Sequence, residues 1–178
     1  MTIPNSTRIL VRQRADAACE YCGVNEHDTA SELTVDHVQP IAHHGTDEPD
    51  NLAYCCHRCN LNKGDYWPQS PGDVPLWNPR AEPRERHLLV LADGTLHPVT
   101  PIGIATLERL RLNRLPLVAH RQSTLADVEG SRLLQQIHDR LSILEAMHQQ
   151  FKQELAEHRL LLKQQSQLIC LLLGISES

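Results

Sequence analysis

Large aromatic side chains are nearly missing from this chain: one Phe, two Trp and three Tyr among 178 residues. A broad aromatic core is thereby excluded, and whatever core forms is mainly aliphatic and not large. Long apolar runs are missing too. The greasiest stretch, Leu168-Ile169-Cys170-Leu171-Leu172-Leu173, falls far short of the roughly 20 apolar residues of a membrane span, so no membrane partner is expected. A secretory leader combines a charged start with an apolar stretch, and Met1-Thr2-Ile3-Pro4-Asn5-Ser6 has neither. The expectation is a cytoplasmic protein with reduced cysteines. Basic charge is not in excess: the formal net charge is −5, which weighs against a chain that grips nucleic acid along its whole length.

Composition divides what is present into three regions, 1–64, 65–121 and 122–178. The first is rich in Cys, His, Asp and Asn and carries a net charge of −4. Its Gly- and Pro-free segment Ser6 to Ala18 predicts a short helix capped by Asn5 or Ser6. Leu33-Thr34-Val35-Asp36-His37-Val38 and Asn51-Leu52-Ala53-Tyr54-Cys55 read as strands, and Arg58 to Lys63 as a helix stopped by Gly64. The second region opens with a proline-rich loop. It continues with a hairpin, Leu88–Leu91 and Thr95–Val99 around Asp93-Gly94, and then a helix from Thr100 or Pro101 to Asn113. Residues 79–121 are basic, at +3, through Arg80, Arg84, Arg86, Arg109, Arg111, Arg114 and Arg121. These arginines are candidates either for a DNA backbone or for ordinary solvated faces.

The third region contains no proline. One heptad register runs Leu134, Ile137, Leu141, Leu144, His148, Phe151, Leu155, His158, Leu162, Gln165, Ile169, Leu172. Nine of these twelve are apolar, which predicts a coiled-coil seam. A homodimer through this helix is the expected partner arrangement, against the alternative of a helix folded back on its own chain.

Cys19-Glu20-Tyr21-Cys22 and Cys56-His57-Arg58-Cys59 are two CxxC knuckles. Each offers two thiolates from a tight turn, and four thiolates complete a closed, structural zinc shell. Such a site offsets the weak core of a small module. Cys55 is the spare beside the second knuckle and is expected to be buried on its strand. Cys170 reads as a seam-side apolar filler, and His43, His44 and His57 as loop or knuckle residues.

Between and after the knuckles stand Asp36-His37-Val38-x-Pro40, Gly45, Asn51-Leu52 and Cys59-Asn60-x-x-Lys63-Gly64. In that order, locked to both knuckles, they resemble the HNH endonuclease family over about residues 8–64. The H-N-N subtype is indicated, because Asn60 stands where many members have His. The proline-rich stretch and Thr100 to Arg121 also resemble the tail of bacterial, particularly cyanobacterial, members. The fold class implied is α+β. It comprises a small ββα-metal (HNH) module stapled by a four-cysteine zinc site, then a hairpin–helix segment, then a long C-terminal helix or coiled coil. The activity implied is metal-dependent hydrolysis of phosphodiester bonds in DNA, or RNA. By the same resemblance His37 is the general base, Asp36 and Asn60 hold a catalytic Mg²⁺ or Mn²⁺, and Asn51 braces the loop that orients His37. Lys63 is a candidate for pairing with a phosphate. On a regular strand Asp36 and His37 point to opposite faces, so the pair is expected where the strand ends or distorts. Two other readings use the same residues: a non-catalytic zinc-stapled nucleic-acid-binding module, and an assembly module whose helix matters most.

Overall fold

The computed structural model describes residues 3–173. Within it the chain forms two units, Met1–Ala126 and Asp127–Ser178.

The first unit opens with helix α1, Asn5–Arg14, whose N-cap is Pro4. Neither Asn5 nor Ser6 caps it. Pro4, held extended at φ −56° and ψ 146°, offers its carbonyl to the Arg8 amide at 3.1 Å, and its ring restricts the approach to the helix. The helix also stops four residues before Ala18, because Asp16 and Ala17 take left-handed backbone conformations, which a helix cannot continue. A single turn, α2 (Glu26–Thr29), is closed by a capping box between Asn25 and Asp28.

Strands β1 (Thr34–His37) and β2 (Leu52–Cys55) pair antiparallel, with Asp36 opposite Ala53 and His37 opposite Leu52. All four β2 residues are buried, so this small sheet is covered on both faces. One cluster gathers Val11 of α1 with Val35, Leu52 and Tyr54. The other takes Ala53, Cys55 and the four knuckle cysteines, and extends to Trp77, Leu88, Leu96, Leu110, Leu112 and Leu117. Residues after Gly64 thus share a core with the knuckles. The scarce aromatics serve here as anchors: Tyr21 and Trp77 meet edge to face at 6.3 Å between ring centroids.

Helix α3, His57–Lys63, starts at Cys56 and ends at Gly64, whose φ of +58° favours glycine. The expected hairpin is present as β3 (Leu88–Val90) and β4 (Leu96–Pro98). Helix α4, Pro101–Arg109, is capped by the Thr100 side chain. It ends before Asn113 because Leu112 and Arg114 lead into a new turn and Arg111 takes φ +51°. Helix α5 then runs Leu115–Leu173, starting earlier than the composition change near 122 suggests. No proline lies between Leu117 and Leu173 to interrupt it. In the second unit the seam residues from Leu134 to Leu172 stand on an unbroken helix.

Candidate active site and zinc centre

Two tight turns bring the knuckle sulfurs together. In the first, the Cys19 amide donates to the Val24 carbonyl and the Gly23 amide to the Cys19 carbonyl, both at 2.8 Å. Gly23 sits at φ +84°, where a side chain is strained. In the second, Cys56 caps α3 and its sulfur accepts the Cys59 amide at 3.4 Å. The ligand atoms of Cys19, Cys22, Cys56 and Cys59 all lie within 4.8 Å of one another, and all four residues are buried. Cys22 and Cys56 sulfurs are 3.8 Å apart. A tetrahedron with zinc–sulfur bonds of about 2.3 Å has sulfur–sulfur edges of about 3.8 Å, so the donor set fits structural zinc. These thiols cannot all ionise side by side: hydrogen bonding with Cys19 and the other sulfurs pushes Cys59 up and Cys56 down. Cys55 is buried on β2, outside this cluster, and burial pushes its thiol up. Cys170 lies on α5, half-buried.

Arg114 is a participant that spacing did not reveal. Its guanidinium lies 4.0 Å from the Cys56 sulfur and 3.9 Å from the Cys59 sulfur, a cation beside what would be a dianionic zinc tetrathiolate. The other basic residues of 79–121 are largely engaged within the protein. Arg80 pairs with Glu20, and Arg86 with Glu82 at 3.2 Å. Arg109 stacks 4.8 Å above the Tyr66 ring, and Arg121 is buried, donating to the Gly94 and Leu112 carbonyls. A charge count cannot distinguish such internal partners from a free basic face.

The β1 strand ends at His37, and the register sends its last two side chains to opposite faces. Asp36 shares the α3 side with Lys63. The Lys63 ammonium, almost wholly buried, stands 3.0 Å from Asp36 Oδ2 and donates to the His37 carbonyl at 2.6 Å. The sequence had suggested Lys63 for a phosphate; here its charge is turned inward. The Lys63 ammonium is the ion-pair partner of Asp36 Oδ2, and this buried oxygen has no further polar partner. Burial pushes the Asp36 carboxyl up, and Lys63 opposes the shift. A carboxylate oxygen is the donor chemistry a hard dication takes, so Asp36 fits such a group by donor type, with the Lys63 ammonium as the cation beside it here. Asn60 follows Cys59 on α3 and is half-buried. Its backbone is set by the zinc knuckle, its amide donating to the Cys56 carbonyl at 3.0 Å.

His37 is oriented from the loop between the strands. Its Nε2 lies 2.7 Å from Asp47 Oδ1, a partner ten residues away that no spacing rule singles out. A carboxylate can only accept, so this contact assigns the Nε2 proton to the ring, and in the neutral imidazole Nδ1 is then the nitrogen with a lone pair. Asn51 ties the same loop together. Its Oδ1 accepts the Gln39 amide at 2.9 Å, and its Nδ2 donates to the Gln39 carbonyl at 3.0 Å and the Thr46 carbonyl at 2.9 Å. The loop is drawn so tight that a Cβ on Gly45 would stand 1.7 Å from the Gln39 carbonyl oxygen. Arg14 of α1 closes the far side, donating to the Pro49 carbonyl at 2.7 Å. His43 and His44 lie in the same loop, with the His43 ring 3.1 Å from Gln69 Nε2.

The ββα unit thus gathers four thiolates, ends β1 in an imidazole oriented by Asp47, and buries the Asp36 carboxyl on the other face of the strand. Residues 19–66 match the family model for HNH endonuclease. The chain is also similar to the CRISPR-associated endonuclease Cas9 of Corynebacterium diphtheriae (strain ATCC 700971 / NCTC 13129 / Biotype gravis). The two are 26% identical over 128 residues, which is 70% of this chain and 11% of that protein. The chain therefore spans about a tenth of the length of the curated relative it matches. No solved structure matches. Among the described residues no helix is long and apolar enough to cross a membrane.

Proposed function

We propose that this chain is a metal-dependent DNA endonuclease in which His37 is the general base. The carrying observation is the pairing of His37 Nε2 with Asp47, which leaves Nδ1 free to take a proton from water. That water's oxygen would attack phosphorus as the bond to the 3′ oxygen breaks, leaving a 3′-hydroxyl and a 5′-phosphate, as the HNH resemblance implies. Asp36 and Asn60 would hold Mg²⁺ or Mn²⁺, which when bound supplies charge stabilisation at the phosphate and leaving oxygen. Asn51 holds the loop that carries Asp47. Lys63 fixes the end of β1 through the His37 carbonyl and the charge of Asp36. Zinc on Cys19, Cys22, Cys56 and Cys59 is structural. In this reading residues 1–64 carry the chemistry, 65–121 brace the zinc centre through Arg114, and 122–178 pair two copies as a coiled coil. Reduced thiols suit the cytoplasm as the place of action.

The test is conversion of supercoiled plasmid to the nicked form across Mg²⁺, Mn²⁺, Ca²⁺ and Zn²⁺, followed by end-labelling of the product. Cleavage with Mg²⁺ or Mn²⁺ giving 5′-phosphate ends, lost in Asp36→Ala with zinc content unchanged, is expected. Salt-dependent DNA binding without cleavage under every cation would favour the non-catalytic module instead.

A further inference from the structure

We infer that the second unit pairs with a second copy of this chain as a parallel, in-register, two-stranded coiled coil. The inference rests on the self-association proposed above and adds its direction and register. Every apolar seam residue, from Leu134 to Leu172, is exposed, between 45% and 84%. Over 39 residues and roughly 58 Å of helix, that is a longer apolar stripe than a soluble surface leaves uncovered.

Charge complementarity selects the occupant and its direction. Take Leu134, Leu141, His148, Leu155, Leu162 and Ile169 as a positions, and Ile137, Leu144, Phe151, His158, Gln165 and Leu172 as d positions. Arg140 and Glu154 then occupy g positions, and Glu145 and Arg159 occupy e positions. In a parallel pair a g residue meets the e residue five places on in its partner. Arg140 therefore meets Glu145 and Glu154 meets Arg159, each twice by symmetry. In the antiparallel pair with full seam overlap, Glu145 meets Arg159 twice, but Lys152 meets its own copy at one flank of the two-fold axis and Glu154 its own copy at the other, so two attractions and two like-charge contacts replace the four attractions of the parallel pair.

The polar layers agree. Parallel register stacks Gln165 on Gln165, so the two amides can satisfy each other. Antiparallel overlap sets each Gln165 against Leu141, burying an amide without a partner. The histidine layers do not choose a direction, since parallel register pairs each with its own copy and antiparallel overlap pairs His148 with His158, so Gln165 carries the distinction. A slip of one heptad would put His148 against Leu155 and Gln165 against Leu172, so the polar layers specify register as well as direction.

The experiment uses the full zinc-loaded chain. Sedimentation equilibrium gives the mass, and thiol cross-linking in a glutathione redox buffer gives the direction, with C170S as background. L134C alone is expected to yield a covalent dimer. E145R is expected to weaken association about tenfold, since two attractions become repulsions, and R140E added to E145R is expected to restore it. A dimeric mass in which L134C does not link to itself, while a mixture of L134C and L172C chains does, overturns the parallel register and leaves self-association standing. A monomeric mass at all concentrations overturns self-association itself.

Discussion

Replacing Asn51 by Asp isolates what the loop brace contributes. The substitution keeps the side-chain shape and the oxygen that accepts the Gln39 amide, and removes both N–H donors to the Gln39 and Thr46 carbonyls. A typical intramolecular hydrogen bond contributes about 1 kcal/mol net. The Thr46 contact is solvent-exposed, which reduces its share, and the new carboxylate faces two carbonyl oxygens, which adds to the cost. The loss expected for Asn51→Asp is ~1–3 kcal/mol, and for Asn51→Ala, which removes all three bonds, ~2–4 kcal/mol. Urea denaturation of the zinc-loaded protein measures both. Hydrogen exchange supplies the second readout: the Gln39 amide stays protected in Asn51→Asp and loses protection in Asn51→Ala. Stability within about 0.5 kcal/mol of the parent for both variants, with Gln39 equally protected in each, would refute the brace.

Asp47→Ala releases the His37 ring and is expected to slow nicking on the order of 10–100-fold. Asp47→Asn, which keeps an acceptor oxygen for Nε2, should recover much of the loss at unchanged zinc content. Cys56→Ser removes a zinc ligand and the N-cap of α3 together; zinc stoichiometry by atomic absorption should fall, and the β1–β2 amides should exchange freely, because the metal's binding energy stabilises the fold. Leu110→Ala leaves a cavity in the core shared by the knuckles and the hairpin, with an expected cost of ~2–5 kcal/mol in denaturant unfolding.

The parts of this molecule that depend on short spacings were legible in the chain. Two CxxC turns announce four converging thiolates, Asp93-Gly94 announces a hairpin, and heptad spacing announces an unbroken helix. What depended on tertiary closure was not. Asp47 reaches His37 only because Asn51 and Gly45 fold the intervening loop onto Gln39. Arg114 reaches the sulfurs only because the chain reverses at Arg111. Arg121 looked like part of a basic surface and is a buried donor to backbone carbonyls. Helix ends failed for a local reason. Pro4 outcompetes the usual polar caps, and left-handed residues at Asp16, Ala17 and Arg111 carry no compositional marker.

The most direct measurement of the catalytic assignment is single-turnover nicking by His37→Ala against the parent, with zinc content and helical signal matched between the two. The account predicts a rate reduced on the order of 10²–10⁴-fold, the usual contribution of a positioned general base, with DNA affinity little changed. A His37→Ala protein that nicks at the parental rate would contradict it.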